Sequence, residues 1–103
     1  MVKQFAYRIR ELREQQHLLQ RQVAALLDID TPLLSKIERG ERVAKKEMVI
    51  KLSVVLKGNK DELLTLWLAD QLHNVIEGEA LGDEALKKVS GNIKKINKKS
   101  YKH

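Results

Sequence analysis

Apolar residues in the middle of the chain recur at helical spacing in two short segments, residues 20–27 and 31–38. Steps of three or four residues place such side chains on one face of a helix. The segment between them, Asp28–Asp30, is polar at both ends, as expected of a tight turn. The pattern therefore predicts two short helices that pack across a turn. Their inward-facing residues are Val23, Ala24, Leu27, Leu34 and Ile37.

The second of these helices has signals at both ends. Asp30 or Thr31 can cap its first turn with a side-chain oxygen, and Pro32 suits that turn because its missing N–H costs nothing there. Gly40 ends the helix as a C-cap. A short helix with small, hydroxyl and basic groups on its free face suits the major groove of DNA, which predicts a helix-turn-helix. The outward residues are Thr31, Pro32, Ser35, Lys36 and Arg39.

The same periodicity predicts four further helices, which makes the fold class all-α. Asn59 or Asp61 can cap the helix that follows Gly58, and Asp83 can cap the last one. The approximate bounds are Phe5–Gln16, Lys45–Leu56, Asp61–Ile76 and Glu84–Asn97.

The stretch Arg8–Leu64 resembles the Xre/Cro/C1 helix-turn-helix family of phage repressors and small bacterial regulators. The segments RIRELRE, LLQRQVAALLDID, LLSKIERGER and DELL carry the resemblance, in the family's order and spacing. The resemblance implies a phage-repressor-like helical bundle. It also implies a transcriptional regulator that binds duplex DNA sequence-specifically, as a repressor.

Four residues in or just before the helix-turn-helix depart from the family pattern, and Val43-Ala44 replaces the usual Asn-Pro of the loop after it. His17 and Leu19 stand where relatives usually have a glycine and a hydroxyl cap before the second helix. Asp28 replaces the turn glycine and must adopt a left-handed or nearby conformation. Pro32 stands where many relatives carry a polar side chain that reads a base. These departures affect the base-contact pattern more than the fold.

The resemblance also implies roles for individual residues. Gln20 would touch a phosphate and brace the recognition helix, and Arg42 would lie along the DNA backbone. Arg13 and Glu38 would form a partly buried ion pair, with two ordinary surface charges as the alternative. The predicted DNA-binding residues are Gln20, Arg21, Thr31, Pro32, Ser35, Lys36, Arg39 and Arg42, of which Arg21 is equally consistent with a solvated surface charge.

We predict three parts: a DNA-binding domain over residues 1–60, a helical extension over 61–97 and a basic disordered tail over 98–103. The extension carries more apolar residues than one helical stripe needs, so a further element or a second subunit must cover some of them. A monomer whose sixth helix folds back over the fifth is the alternative to a dimer. The residues expected at the dimer interface, or at the intrachain seam behind it, are Leu66, Trp67, Val75, Leu86, Val89 and Ile93.

The net charge of +6 is unevenly distributed along the chain. Residues 1–60 carry +6, residues 61–84 carry −7, and residues 85–103 carry +7. A basic N-terminal part matches the needs of phosphate binding. The acidic and basic C-terminal blocks can attract each other within one chain or between two, or they are simply solvated helix faces.

The sequence argues against catalysis and against a bound cofactor. The chain has no cysteine, and His17, His73 and His103 show no metal-ligand spacing. No apolar run approaches the length of a membrane span, and the N-terminus lacks the apolar core of a signal peptide, so a cytoplasmic location is expected.

Duplex DNA and a second copy of the chain are the expected partners. Two nearby alternatives within the same class are a restriction–modification controller and an antitoxin with a toxin partner. An alternative from another class is a helical protein-interaction scaffold, which would lack salt-dependent affinity for DNA.

Overall fold

The computed structural model describes residues 2–100, with side chains through residue 96. All regular structure in this range is helical, which confirms the predicted all-α class. The predicted bounds agree with the structure within two residues, apart from the end of the last helix. The helices are α1 (Gln4–Gln15), α2 (Gln20–Leu27), α3 (Thr31–Glu38), α4 (Lys46–Val55), α5 (Lys60–Ile76) and α6 (Gly82–Ser100).

The core lies among α1–α5. Helix α5 packs on both α1 and α4, α2 packs on α3 and α4, and α1 packs on α3. The side chains that fill this core come from all five helices and from Ala44 in the loop before α4. They are Phe5, Ile9, Leu12, Val23, Ala24, Leu27, Leu34, Ile37, Ala44, Val49, Leu52, Leu56 and Leu63.

Three non-glycine residues end helices in the left-handed conformation. His17 follows α1 with φ of 56°, Asp28 follows α2 with φ of 57°, and Lys57 follows α4 with φ of 53°. At the last of these, the N–H of Gly58 donates to the carbonyl of Ser53 at 2.8 Å, which closes the helix end. The conformation expected of Asp28 is confirmed. A side chain in this region costs about 1–2 kcal/mol relative to glycine.

Side-chain caps begin two of the helices. The Asp30 carboxylate accepts the N–H of Leu33 at 2.8 Å at the start of α3. The Asn59 side chain accepts the N–H of Glu62 at 2.8 Å at the start of α5. The sequence offers both residues as candidate caps, and each satisfies one donor of a first helical turn.

The predicted cap at Asp83 is wrong. Helix α6 begins at Gly82, so Asp83 lies inside the first turn, and its Oδ2 is 3.2 Å from Nζ of Lys87. An acidic side chain is stabilising both at the N-cap and in the first turn, since both positions lie at the positive end of the helix dipole. Helix α6 also runs through Ser100, so the predicted tail begins inside it, and residues 101–103 lie outside the described residues.

Helix α5 holds the N-terminus of α1 through polar side chains. Lys3 at the N-cap of α1 makes no side-chain cap. Instead, Oδ2 of Asp70 accepts the N–H of Phe5 at 2.8 Å, and Oδ1 of Asn74 accepts the N–H of Val2 at 2.9 Å. Asp70 therefore caps α1 from another helix, although it lies 65 residues away in the chain.

The predicted dimer or seam residues divide into two groups. Leu66 and Trp67 pack against the core within the chain. Val75 and the three α6 residues, Leu86, Val89 and Ile93, are exposed. Helix α6 does not pack extensively on any other helix, so the folded-back arrangement of α6 over α5 does not occur in the structure.

The left-handed end of α4 generates a stability prediction. We expect Lys57→Gly to raise the free energy of unfolding by about 1 kcal/mol, because glycine adopts this conformation without a Cβ penalty. The matched control is Lys51→Gly, another exposed lysine but in the interior of α4, which should lower it by roughly 1 kcal/mol. Urea unfolding measures both, and equal effects would contradict the assignment.

Candidate nucleic-acid interface

A buried ion pair joins α1 to the end of α3. Nε and Nη2 of Arg13 donate to Oε2 and Oε1 of Glu38 at 2.8 and 2.9 Å. The two side chains are only 13% and 3% exposed. Nη1 of Arg13 also donates to the carbonyl of Leu18 at 2.8 Å, and Nε2 of Gln20 donates to Oε1 of Glu38 at 3.1 Å. The network connects α1, α2 and α3.

This network satisfies charges that would otherwise be costly to bury. The hydrogen bond from Arg13 to Glu38 raises the pKa of the guanidinium above its ordinary value, against the effect of burial. A two-pronged arginine–carboxylate contact also fixes orientation. Removal of one partner would leave an unpaired charge in the interior, which typically costs 3–5 kcal/mol.

Helix α3 presents one face to the core and the opposite face to solvent. Leu34, Ile37 and Glu38 are buried, which orients the helix about its axis. Helix α3 ends before Gly40, which has a φ of 71°. The N–H of Glu41 then donates to the carbonyl of Lys36 at 2.9 Å. The predicted contact residues on α3 or at its end are exposed or half-exposed: Thr31, Pro32, Ser35, Lys36 and Arg39.

Arg39 is already held by a carboxylate that the sequence reasoning did not single out. Its Nε and Nη2 lie 2.8 and 2.7 Å from Oε2 of Glu41, and its Nη1 donates to Oγ of Ser35. The hydrogen bond from Arg39 lowers the pKa of the Glu41 carboxyl below its ordinary value, and the nearby charges of Lys3 and Lys36 act in the same direction. Lys36 and Arg39 form an exposed basic cluster at the end of α3, and this cluster also contains the negative charge of Glu41.

Lys3 joins this cluster from the N-terminus of α1. Its aliphatic stem crosses Gly40 so closely that a Cβ there would lie 2.6 Å from Cδ of Lys3. Gly40 is thus favoured by its backbone conformation, and a side chain there would also displace the stem of Lys3. The only signal in the sequence was a basic residue near the start of α1, and nothing local linked it to the end of α3.

The loop after α3 is anchored from α5. Nε1 of Trp67 donates to the carbonyl of Ala44 at 2.7 Å, and Ala44 is buried. Arg42, two residues earlier, is exposed. The indole therefore fixes the segment that carries Arg42, another contact residue that the resemblance implied.

Gln20 and Arg21 occupy the first turn of α2. The missing hydroxyl cap noted in the sequence leaves Leu19 at the N-cap, where no side chain accepts from the first turn. The N–H of Leu19 donates to Oε1 of Gln22 at 2.8 Å. The Gln20 side chain braces Glu38, while Arg21 is exposed. The N–H of Gln22 in this turn donates to the carbonyl of Leu19 at 3.0 Å. The first N–H groups of a helix lack a carbonyl four residues earlier in the same helix, and such groups suit a phosphate oxygen.

The described part of the chain shows neither a cluster of metal ligands nor a membrane span. No three side chains of His, Asp or Glu come together there as metal ligands. Within the same residues, no helix is long and apolar enough to cross a membrane.

Two short helices, the turn at Asp28–Asp30 and an exposed basic face on the second helix together define a helix-turn-helix DNA-binding domain. A family model described as helix-turn-helix matches residues 9–63, which is more than half of the chain. The protein belongs to the Xre/Cro/C1-type helix-turn-helix family and is a regulator of transcription that binds double-stranded DNA. The comparison with curated proteins gave no match.

The buried pair generates a prediction about coupling. We expect Arg13→Met and Glu38→Gln each to lower the free energy of unfolding by about 3–5 kcal/mol. A double-mutant cycle in urea measures the coupling between them. The matched control is the exposed pair Arg10–Glu14, at 3.0 Å, whose coupling should be about 0.3–0.5 kcal/mol. Similar coupling in the two pairs would contradict a special role for Arg13 and Glu38.

Glu41 generates a prediction about DNA affinity. Glu41→Gln should raise affinity for every duplex sequence, because it removes a negative charge and releases Arg39 for phosphate. The slope of log affinity against log salt should steepen by about one. Glu14→Gln, which releases Arg10 from a similar exposed pair, is the control and should change neither quantity. Unchanged binding in Glu41→Gln would show that Arg39 stays out of the DNA contact.

Proposed function

We propose that the protein is a dimeric repressor that acts in the cytoplasm on a palindromic operator, without catalytic activity or a cofactor. The observation that carries the DNA-binding part is the orientation of α3. Its buried face is fixed by Leu34, Ile37 and Glu38, and its free face carries hydroxyl and basic groups. Such a helix fits the major groove, where base edges differ in their donors and acceptors.

The proposed contacts fall into two classes. Thr31, Ser35 and Lys36 lie on the free face of α3 and are assigned to base edges, with Lys36 reaching guanine O6 or N7. Arg39 and Arg42 follow the helix and are assigned to phosphates, which position the domain without reading sequence.

Three further residues surround this arrangement. Gln20 and Arg21, in the first turn of α2, are assigned to a phosphate near the N-terminus of that helix. Pro32 is assigned to apolar contact in the groove, because its ring is exposed and offers no donor.

Two arguments support a dimer. One recognition helix reads few base pairs, and the C-terminal helices expose apolar surface. A single helix reads only a few base pairs, and dimers of such domains bind half-sites about 34–36 Å apart. Five apolar side chains of α5 and α6 that are between 45% and 76% exposed support this assembly. They are Leu68, Leu72, Val75, Val89 and Ile93.

Lys36 provides the test of base readout. Selection of bound fragments from random DNA first supplies the operator. On that site, Lys36→Ala should lose about 1–3 kcal/mol of binding and relax the preference at one base position. Arg42→Ala is the comparison, and it should weaken all sequences alike and flatten the salt slope by about one.

Two outcomes would contradict these assignments. If Lys36→Ala binds its operator and random DNA as the native chain does, then Lys36 does not read a base. If the native chain shows no salt-dependent affinity for any duplex, the fold serves as a protein-interaction scaffold instead.

Sedimentation tests the dimer. The chain has a mass of 11.9 kDa, and we expect about twice that mass at micromolar concentration. Val89→Asp should return the mass to that of one chain while circular dichroism shows that helix is retained, because a carboxylate at an apolar contact opposes association. A native mass of one chain, with and without operator DNA, would exclude the dimer.

A further inference from the structure

The two C-terminal helices carry uncovered apolar strips of the same length. On α5, Leu68, Leu72 and Val75 are 52%, 46% and 76% exposed. On α6, Val89, Ile93 and Ile96 are 45%, 48% and 62% exposed. In each strip the residues are spaced by four and then by three positions, so each strip occupies one helix face over two turns. Two such strips fit side by side as facing helices.

Small, uncharged residues beside the strip of α6 leave it accessible to another helix. The positions that flank the strip are uncharged: Ala85, Ser90 and Asn92. Four of the six lysines of this helix follow Leu86 and Ile93 as the pairs 87–88 and 94–95, which places them outside the strip in a heptad arrangement. A helix that packs against this strip therefore has these lysines beside the contact and not within it.

The lysines of α6 favour an acidic partner helix, and the charge distribution favours one orientation of the two helices. From residue 85 to the end the chain has only basic charges, whereas residues 61–84 have only acidic ones. If α6 lies antiparallel on α5 with Ile93 opposite Leu72, Lys87 and Lys88 lie opposite the C-terminal end of the partner's α5, next to Glu79. In the parallel orientation, Asp83 of α6 would instead approach Asp61, and like charges would repel.

The α5 strip is not covered by α6 of the same chain. Gly78 adopts φ of 82° in the link between the helices, and α6 begins again at Gly82 without packing extensively on α5. A second copy provides an α6 with matching strip and charge, and it can receive the first copy's α6 in return. Exchange of this kind is self-complementary and closes a two-fold dimer.

We propose that α6 of each copy lies antiparallel on α5 of the other, with Ile93 opposite Leu72. This proposal rests on the dimer proposed above and specifies its contact. It commits the exposed strip of α5 to one occupant, the α6 helix of a second copy of this chain. The opposite side of α5, which carries Trp67 and Asp70, remains on the core of its own chain.

Engineered disulfides test the exchange directly, because the native chain has no cysteine. Leu72→Cys and Ile93→Cys are made in separate full-length chains, one with an affinity tag, and mixed before mild oxidation. We expect a covalent pair of one tagged and one untagged chain, several-fold above the pairs formed by either variant alone. The matched control replaces Leu72→Cys by Leu26→Cys, an exposed leucine on α2.

Three outcomes would overturn the exchange. Efficient self-pairing of Ile93→Cys would show that α6 packs on α6, so the dimer would stand while the exchange fails. A disulfide within single chains of the double variant would show that α6 folds back. A monomeric native chain that forms no covalent pair above the control would remove the dimer as well. DNA affinity, measured on the reduced variants, tests the DNA-binding function independently of all three.

Discussion

The arrangement of the DNA-binding helices depends on one buried ion pair between Arg13 and Glu38. Glu38 lies on the last turn of α3, so the pair fixes the end of the recognition helix against α1, and Gln20 adds α2 to the same carboxylate. Apolar packing alone would allow short helices to slide or rotate slightly, since hydrophobic contact has little directionality. The two-pronged contact supplies that direction, and it remains charged because the partner carboxylate raises the arginine pKa.

The exposed charges around the end of α3 behave differently from the buried pair. Arg39 and Glu41 interact in solvent, where such a contact contributes little to stability and is screened by salt. Its proposed effect is on function, since Glu41 pairs with Arg39, which we assign to a phosphate contact. The free protein thus holds its basic groups in place before it meets DNA. If Arg39 contacts a phosphate as proposed, binding requires that it exchange the Glu41 carboxylate for that phosphate.

Helix α5 connects the DNA-binding domain to the proposed dimer contact. One side of it caps α1 through Asp70 and anchors the loop near Arg42 through Trp67. Its other side carries the open strip at Leu68, Leu72 and Val75. A rigid helix that serves both sides transmits the geometry of the dimer to the spacing between two recognition helices. Operator spacing would then depend on packing rather than on a flexible linker.

The sequence by itself determined the features that depend on neighbouring residues. Helix positions follow from apolar periodicity, and the ends at Asp28, Asp30 and Gly40 follow from local conformation and capping, because both act within a few residues. Asp83 was misplaced because an acidic residue suits a cap and a first turn equally. Only the tertiary structure decided which apolar residues of the extension face the core, and which side chain meets a distant backbone. Asp70 and Phe5 are 65 residues apart, so no local pattern records their contact. The sequence also does not show that Trp67 packs on the core while Leu72 is exposed. Periodicity defines the faces of a helix, but only tertiary packing determines which face contacts the core.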